Sequence, residues 1–248
     1  MKIRSATSFM KQRRTWLIAI ATVLVALLVL GIASGIRHAQ IISRVDSTYS
    51  DVKTQATFVS TISKASRAKR LTAIKNLSKV QVVDSCKGEW WNAWYAAVLP
   101  AAKTEADDCM AALKKIHAVS AAATNLDRYL TDDNKVAKTL AVLKVATGSA
   151  EWQKTALSSA QSALRDIESI TATAENKELL AASKEKTVAI INAWNALNDA
   201  STKQDKAAYL KAQGELAQAY ANLGAISDVS DEKVEELVTQ LQATTKKL

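Results

Sequence analysis

The pattern of apolar and polar positions changes most sharply near the amino end of the chain. Residues 15–36 form a run of 22 residues without a charge, and most of them are aliphatic. A helix rises about 1.5 Å per residue, so this run covers about 33 Å, enough for a hydrocarbon core of roughly 30 Å. The pattern predicts one transmembrane helix over residues 15–36, with the lipid bilayer as its partner.

The charges on either side of this helix predict its orientation. Five positive residues and no acidic residue precede it: Lys2, Arg4, Lys11, Arg13 and Arg14. The positive charges that follow are diluted by Asp46 and Asp51. Positive flanks stay in the cytoplasm. We therefore expect a basic cytoplasmic tail over 1–14 and an extracytoplasmic domain over 37–248, in a single-pass protein of a bacterial cell membrane.

Two alternatives to a retained signal-anchor need to be weighed. Ala33-Ser34-Gly35 is small enough for a signal peptidase site, which would make the segment a cleaved signal peptide. The apolar core over 16–33 has 18 residues, however, which exceeds the roughly 7–15 of a signal peptide, so a retained anchor is favoured. A buried core helix is disfavoured by so long an apolar run beside a dense basic flank.

The remainder of the chain is predicted to be all-α. It holds one proline and four glycines, too few for the turns of an all-β or doubly wound domain. Residues 37–80 read as a membrane-proximal helical stalk, because apolar positions there follow heptad spacing and favour a coiled coil with a helix of the same chain or of a second copy. These positions are Val45, Tyr49, Val52, Ala56 and Val59.

Residues 81–248 are predicted to form an antiparallel helical bundle. Seven-residue spacing separated by short polar loops is typical of such bundles. Thr131 to Asp133 indicates a new helix start, and Thr202 with Asp205 resembles a capping box that opens another helix. Gly224 is expected to end that helix, and Asp228 or Ser230 to begin the last one.

The two cysteines predict a disulfide bond in an exported domain, because that compartment is oxidising. Cys86 and Cys109 would lie about 35 Å apart in one straight helix, whereas a disulfide needs Cα atoms within about 7 Å. The chain must therefore fold back between them, and Pro100 lies near the midpoint. We predict a disulfide-stapled helical hairpin with legs on either side of Pro100.

Aromatic residues between the cysteines form a candidate interaction patch. The patch consists of Trp90, Trp91, Trp94 and Tyr95. Spacings of four residues place these rings on two adjacent ridges of one helix. Large rings at this spacing are most often core. They are also suited to a membrane interface, to stacking on sugar rings or to a protein partner.

Charge and residue types argue against nucleic-acid binding and catalysis. Setting the five tail charges aside leaves 28 Lys and Arg against 24 Asp and Glu, a net charge of +4 on the rest. His117 is expected to be a packing residue, and His38 to lie beside the membrane. Glu89 and Glu105 could pair for glycan hydrolysis, but nothing distinguishes them from surface acids. We expect no catalytic residues, no metal site and no cofactor.

The sequence thus predicts a non-enzymatic, membrane-anchored scaffold of the cell envelope. It would present helical surfaces for protein–protein interaction with a partner or a second copy. The alternative is a sensory or solute-binding ectodomain that works with a separate transducing subunit.

Overall fold

A computed structural model describes residues 5–61, 67–81, 86, 97–144 and 150–248. The regular structure within these residues is helical and includes no strand, which confirms the predicted all-α class. The described α-helices are α1 (Ser5–Thr61), α2 (Arg67–Ser78), α3 (Pro100–Ala141), α4 (Ala150–Glu168), α5 (Lys177–Thr202), α6 (Lys206–Ala221) and α7 (Gly224–Thr245). A short 3₁₀ turn, Val142–Lys144, follows α3.

The chain divides into two compact units. The first contains the described parts of 1–57 and 80–118, together with Leu248. In it, α1 contacts the first part of α3. The second unit contains the described parts of 58–79 and 119–247.

Helix α5 lies at the centre of the second unit and contacts α4, α6 and α7. It buries one side along its length, including Leu179, Ile190, Trp194 and Leu197. Together with the buried Ser183 and Thr187, these positions recur at intervals of three or four residues, as expected for a core-facing stripe. The Trp194 indole Nε1 lies 3.3 Å from the Tyr220 hydroxyl of α6 and donates a hydrogen bond to it.

Two consecutive aspartates of α3 hold neighbouring helices of this unit. Asp132 Oδ2 accepts a hydrogen bond of 2.8 Å from Asn176 Nδ2, at the start of α5. Asp133 Oδ1 accepts one of 2.6 Å from the Ser230 hydroxyl of α7. Asn176 is completely buried and also donates to the Thr171 carbonyl at 3.0 Å. Buried polar groups with partners of this kind fix which helices meet.

The predicted helix start at Thr131 is wrong, because α3 runs unbroken through it. The Thr131 hydroxyl donates a hydrogen bond of 2.8 Å to the Asp127 carbonyl of its own helix, so this hydroxyl has a partner without capping a helix end. Asp132 is engaged by Asn176 rather than by the amides of its own helix.

The predicted capping box at Thr202 is also misplaced. Asp205 is itself the cap of α6, and its Oδ1 accepts hydrogen bonds of 3.0 Å from the amides of Ala207 and Ala208. Thr202 belongs to the last turn of α5. Gly224 begins α7 instead of ending α6, so the last helix starts before Asp228.

Replacing Asn176 with alanine is expected to destabilise the second unit by about 1–3 kcal/mol, because Asp132 would keep its buried charge and lose a donor. Urea unfolding of the full chain in detergent, followed by circular dichroism, measures this. Asn222→Ala is the matched control, since the side chain of Asn222 is exposed and accepts an exposed hydrogen bond from Gln218. Its effect should stay within about 0.5 kcal/mol. Equal effects of the two substitutions would contradict the structural role of Asn176.

Candidate functional site

The apolar part of α1 is not covered by protein. The helix is long and apolar enough to cross a membrane. Its most apolar stretch of 18 residues has a mean hydropathy of 2.2 and is only 6% buried. Val25 and Leu28 expose 63% and 64% of their surfaces. A buried core helix would hide such side chains, so the core-helix alternative is wrong.

The surroundings of α1 change at Ser34. Ser34 and His38 expose 1% and 3% of their surfaces, and Val45 is equally buried. His38 Nε2 lies 3.3 Å from Glu105 Oε2 of α3. The boundary between exposed and buried positions on α1 therefore falls within two residues of the end of the uncharged run, at Ile36.

Contacts between side chains show that α1 and α3 run parallel in this unit. His38 meets Glu105, and further along both helices Lys115 Nζ lies 6.0 Å from the centre of the Tyr49 ring. This is the outer limit of a cation–π contact. Residue numbers increase along both helices from the first contact to the second, so the helices are parallel. Tyr49, one of the predicted heptad positions, therefore meets a helix of the same chain.

Both helices carry buried positions at heptad spacing. On α3 these are Ala102, Ala106, Cys109, Leu113 and Ile116. On α1, Val45, Val52 and Ala56 are buried as predicted and Tyr49 is half-buried. Alternating steps of three and four residues let the side chains of parallel helices interlock. The burial of Val59 lies outside the described residues.

The predicted cysteine pair is confirmed at disulfide distance. The Cα atoms of Cys86 and Cys109 lie 6.0 Å apart, and both residues are buried. Pro100 is the first residue of α3, as expected for a residue without an amide donor. The other predicted leg of the hairpin and the aromatic patch Trp90, Trp91, Trp94 and Tyr95 lie outside the described residues, and their roles stay predictions.

A groove between α3 and α7 is a second feature that could bind a ligand. We refer to it as the α3–α7 groove. It has a volume of about 330 Å³, and its apolar walls include Val136, Leu140, Leu223 and Ile226. Its polar lining is formed by Asp133, Ser227, Ser230 and Asp231. Lysine and arginine are absent from the described lining, so a cationic ligand would meet complementary charge.

Tyr129 lies one turn before Asp133 on α3 and is almost completely buried. Burial raises the pKa of its phenol, the Ser230 hydroxyl lowers it by a smaller amount, and the negative charges of Asp133 and Asp231 raise it further. The Ser230 hydroxyl donates to Asp133, and no described group forms a well-aligned hydrogen bond with the Tyr129 hydroxyl. Apart from the helical spacing of Tyr129, nothing in the sequence indicates that it is buried beside acidic residues.

The two histidines lie on different helices, His38 on α1 and His117 on α3. His117 is exposed on α3, so its predicted packing role is wrong. The outward side of a heptad-spaced helix explains this, because the neighbouring Ile116 occupies the inward position. No group of three or more His, Cys, Asp and Glu residues that could hold a metal ion occurs among the described residues.

Replacing Tyr129 with phenylalanine is expected to remove a loss of stability at alkaline pH. The pKa of Tyr129 is raised in the folded protein. Its contribution to the free energy of unfolding is therefore fully present below the ordinary pKa of 10.0 and is lost as the pH rises through the folded pKa. The free energy of unfolding of the unsubstituted protein should therefore drop relative to Tyr129→Phe above pH 10, by at most about 1.4 kcal/mol per pH unit.

Urea unfolding at several pH values between 8 and 11 measures the difference, with Tyr209→Phe as a control at a less buried tyrosine. A gap between the Tyr129→Phe protein and the unsubstituted protein that stays constant with pH would contradict the expectation.

Comparisons of the chain with protein-family models, with curated proteins and with solved structures gave no match, so its function has to be inferred from its own residues.

Proposed function

We propose that the protein is a membrane-anchored, extracytoplasmic helical scaffold of the cell envelope, without enzymatic activity, that presents helical surfaces to a protein partner. The observation that carries the proposal is the uncovered apolar stretch of α1, after which the first buried residue of α1 is Ser34.

The cost of leaving this stretch in water supports the anchor. Ten large apolar side chains between Ile20 and Ile36 are 40–64% exposed. Covering the exposed half of each side chain is worth roughly 1 kcal/mol, or on the order of 10 kcal/mol together. That is comparable to the whole net stability of a domain, about 5–15 kcal/mol. Lipid supplies the cover without a further protein surface.

The direction of insertion rests on charge and on the cysteines. The five positive residues before α1's apolar stretch favour a cytoplasmic amino terminus. The Cys86–Cys109 pair at disulfide distance supports an oxidising compartment for the rest of the chain.

A scaffold role is favoured because several ionisable side chains form contacts that hold one helix to another. His38 meets Glu105 across α1 and α3, and Asp132 and Asp133 hold Asn176 and Ser230. The aromatic patch predicted from the sequence is the candidate for the surface offered to a partner.

Replacing Leu24 and Leu28 with glutamate is expected to release the protein from membranes. On insertion scales an acidic residue at a helix centre costs up to about 3 kcal/mol, so two would cost roughly 5–6 kcal/mol. Extraction of bacterial membranes with alkaline carbonate, followed by immunoblotting, measures retention. Leu210→Glu, at an exposed leucine of α6, is the matched control and should remain in the membrane fraction.

Protease added to intact spheroplasts tests the direction of insertion. We expect degradation of the region after α1's apolar stretch without lysis. Complete protection until lysis would overturn the extracytoplasmic placement, and extraction of the unsubstituted protein by carbonate would overturn the anchor.

The α3–α7 groove favours solute binding as a second candidate function. Ligand sites commonly occupy about 300–1,000 Å³ with apolar walls and a few polar groups, and this groove lies at the lower limit. Apolar walls beside Asp133 and Asp231 suit a small organic cation with an alkyl chain.

Titration with hexylammonium, monitored by calorimetry, tests this second candidate. We expect binding that weakens at least tenfold in Asp231→Asn, because the charge partner is lost, while hexanoate does not bind. Asp228→Asn, an exposed acid of the same helix outside the groove, is the control and should leave the affinity unchanged. Equal affinity for the two ions, or no binding of either, would contradict it.

A further inference from the structure

The residues that lead into α3 form an exposed apolar turn. Val98 and Leu99 expose 56% and 42% of their surfaces, and Ala97 and Ala101 are exposed as well. The next charged residue along α3 is Lys103. Outside α1, the other exposed large apolar side chains of the described residues, Leu71, Val142 and Leu210, occur singly, whereas Val98 and Leu99 are adjacent. Such a patch needs a specific neighbour.

The register of α1 and α3 places this turn at a defined level of α1. The numbers of the contacting residues differ by 67 for His38 and Glu105, and by 66 for Tyr49 and Lys115. The two values agree within one residue, so the helices stay in step. Lys103 donates its amide to the Leu99 carbonyl at 3.1 Å, which extends the helical hydrogen bonding back to Leu99.

Carrying this offset back along α3 places Val98 level with Gly31 or Ile32, and Leu99 level with Ile32 or Ala33. Ile32 is 57% exposed and belongs to the uncovered apolar stretch of α1. The exposed turn therefore continues the apolar surface of α1 at the same height. One turn further along, Lys103 is level with Ile36 or Arg37, and all three residues are exposed.

We propose that Val98 and Leu99 insert into the outer edge of the bilayer, so that the protein contacts lipid at a second place besides α1. This rests on the proposed anchor. The apolar turn would reach the acyl chains, while Lys103 and Arg37 lie at the level of the lipid phosphates, where basic side chains are favoured. The occupant is lipid because the turn is continuous with a surface that lipid already covers.

Membrane attachment at two points has a physical consequence for the first unit. A single helix can tilt and rotate in the bilayer. A second contact beside α1 would restrict this tilt and rotation, and would hold α3 in a fixed orientation relative to the membrane surface.

The test uses nitroxide spin labels on the full chain in vesicles of phosphatidylcholine and phosphatidylglycerol. Single cysteines replace Val98, Leu28 or Ala118 and are labelled after the Cys86–Cys109 bond has been verified by mass. Oxygen collects in lipid and a nickel chelate stays in water, so their relative effects on each label report its depth. Ala118 is exposed on α3 at a distance of about 30 Å along the helix from Val98 and serves as the aqueous control.

The label at 98 is expected to respond to oxygen at least threefold more than the label at 118, and less than the label at 28. If label 28 lies in lipid and label 98 responds like label 118, this inference is overturned while the anchor stands. If label 28 also responds like label 118, the anchor itself fails. A label at 98 shielded from both reagents, with dipolar broadening between labels, would show that a second copy covers the turn, which also overturns the inference.

Discussion

The parallel contact between α1 and α3 is the constraint on which the first unit depends. Parallel helices cannot be joined by a short turn, so after α1 ends at Thr61 the chain must return to the level of Ser34 before α3 begins at Pro100. The link between Cys86 and Cys109 ties this return segment to α3 partway along. Cys86 and Cys109 are 23 positions apart, and a covalent bond that closes a loop of this length lowers the entropy of the unfolded chain, which stabilises the folded state by roughly 3 kcal/mol.

The second unit depends on a different constraint, which is the direction of two neighbouring carboxylates. Consecutive residues on an α-helix point about 100° apart. Asp132 and Asp133 therefore face different neighbours, and each meets a buried polar partner, Asn176 or Ser230. Burying a carboxylate is costly unless it is hydrogen-bonded, so other arrangements of these helices would be penalised. The same arrangement leaves Tyr129 deeply buried beside negative charge, which raises its pKa.

The proposed roles follow from where the structure leaves surfaces uncovered. The protein covers α1 only from Ser34 onward, and the exposed side chains below it need a non-aqueous neighbour. The register with α3 places Val98 and Leu99 beside that boundary, so the proposed membrane attachment would be connected to the fold of the first unit. The α3–α7 groove belongs to the second unit, and solute binding there would not require the anchor.

Local rules sufficed for the helical class, the long apolar helix and the cysteine pair. Composition excludes strands, an uncharged run needs an apolar neighbour, and two cysteines on a folded-back chain have one possible intramolecular pairing. Val45, Val52 and Ala56 could be placed in a seam because heptad spacing is a property of a single helix. The sequence did not identify the helix they meet, since that depends on contacts between distant residues.

The helix boundaries predicted at Thr131 and Thr202 are wrong, because a threonine hydroxyl can also donate to a carbonyl inside its own helix. The α3–α7 groove, the burial of Tyr129 and the level of Val98 depend on how helices are arranged in space, and only the tertiary structure decided them.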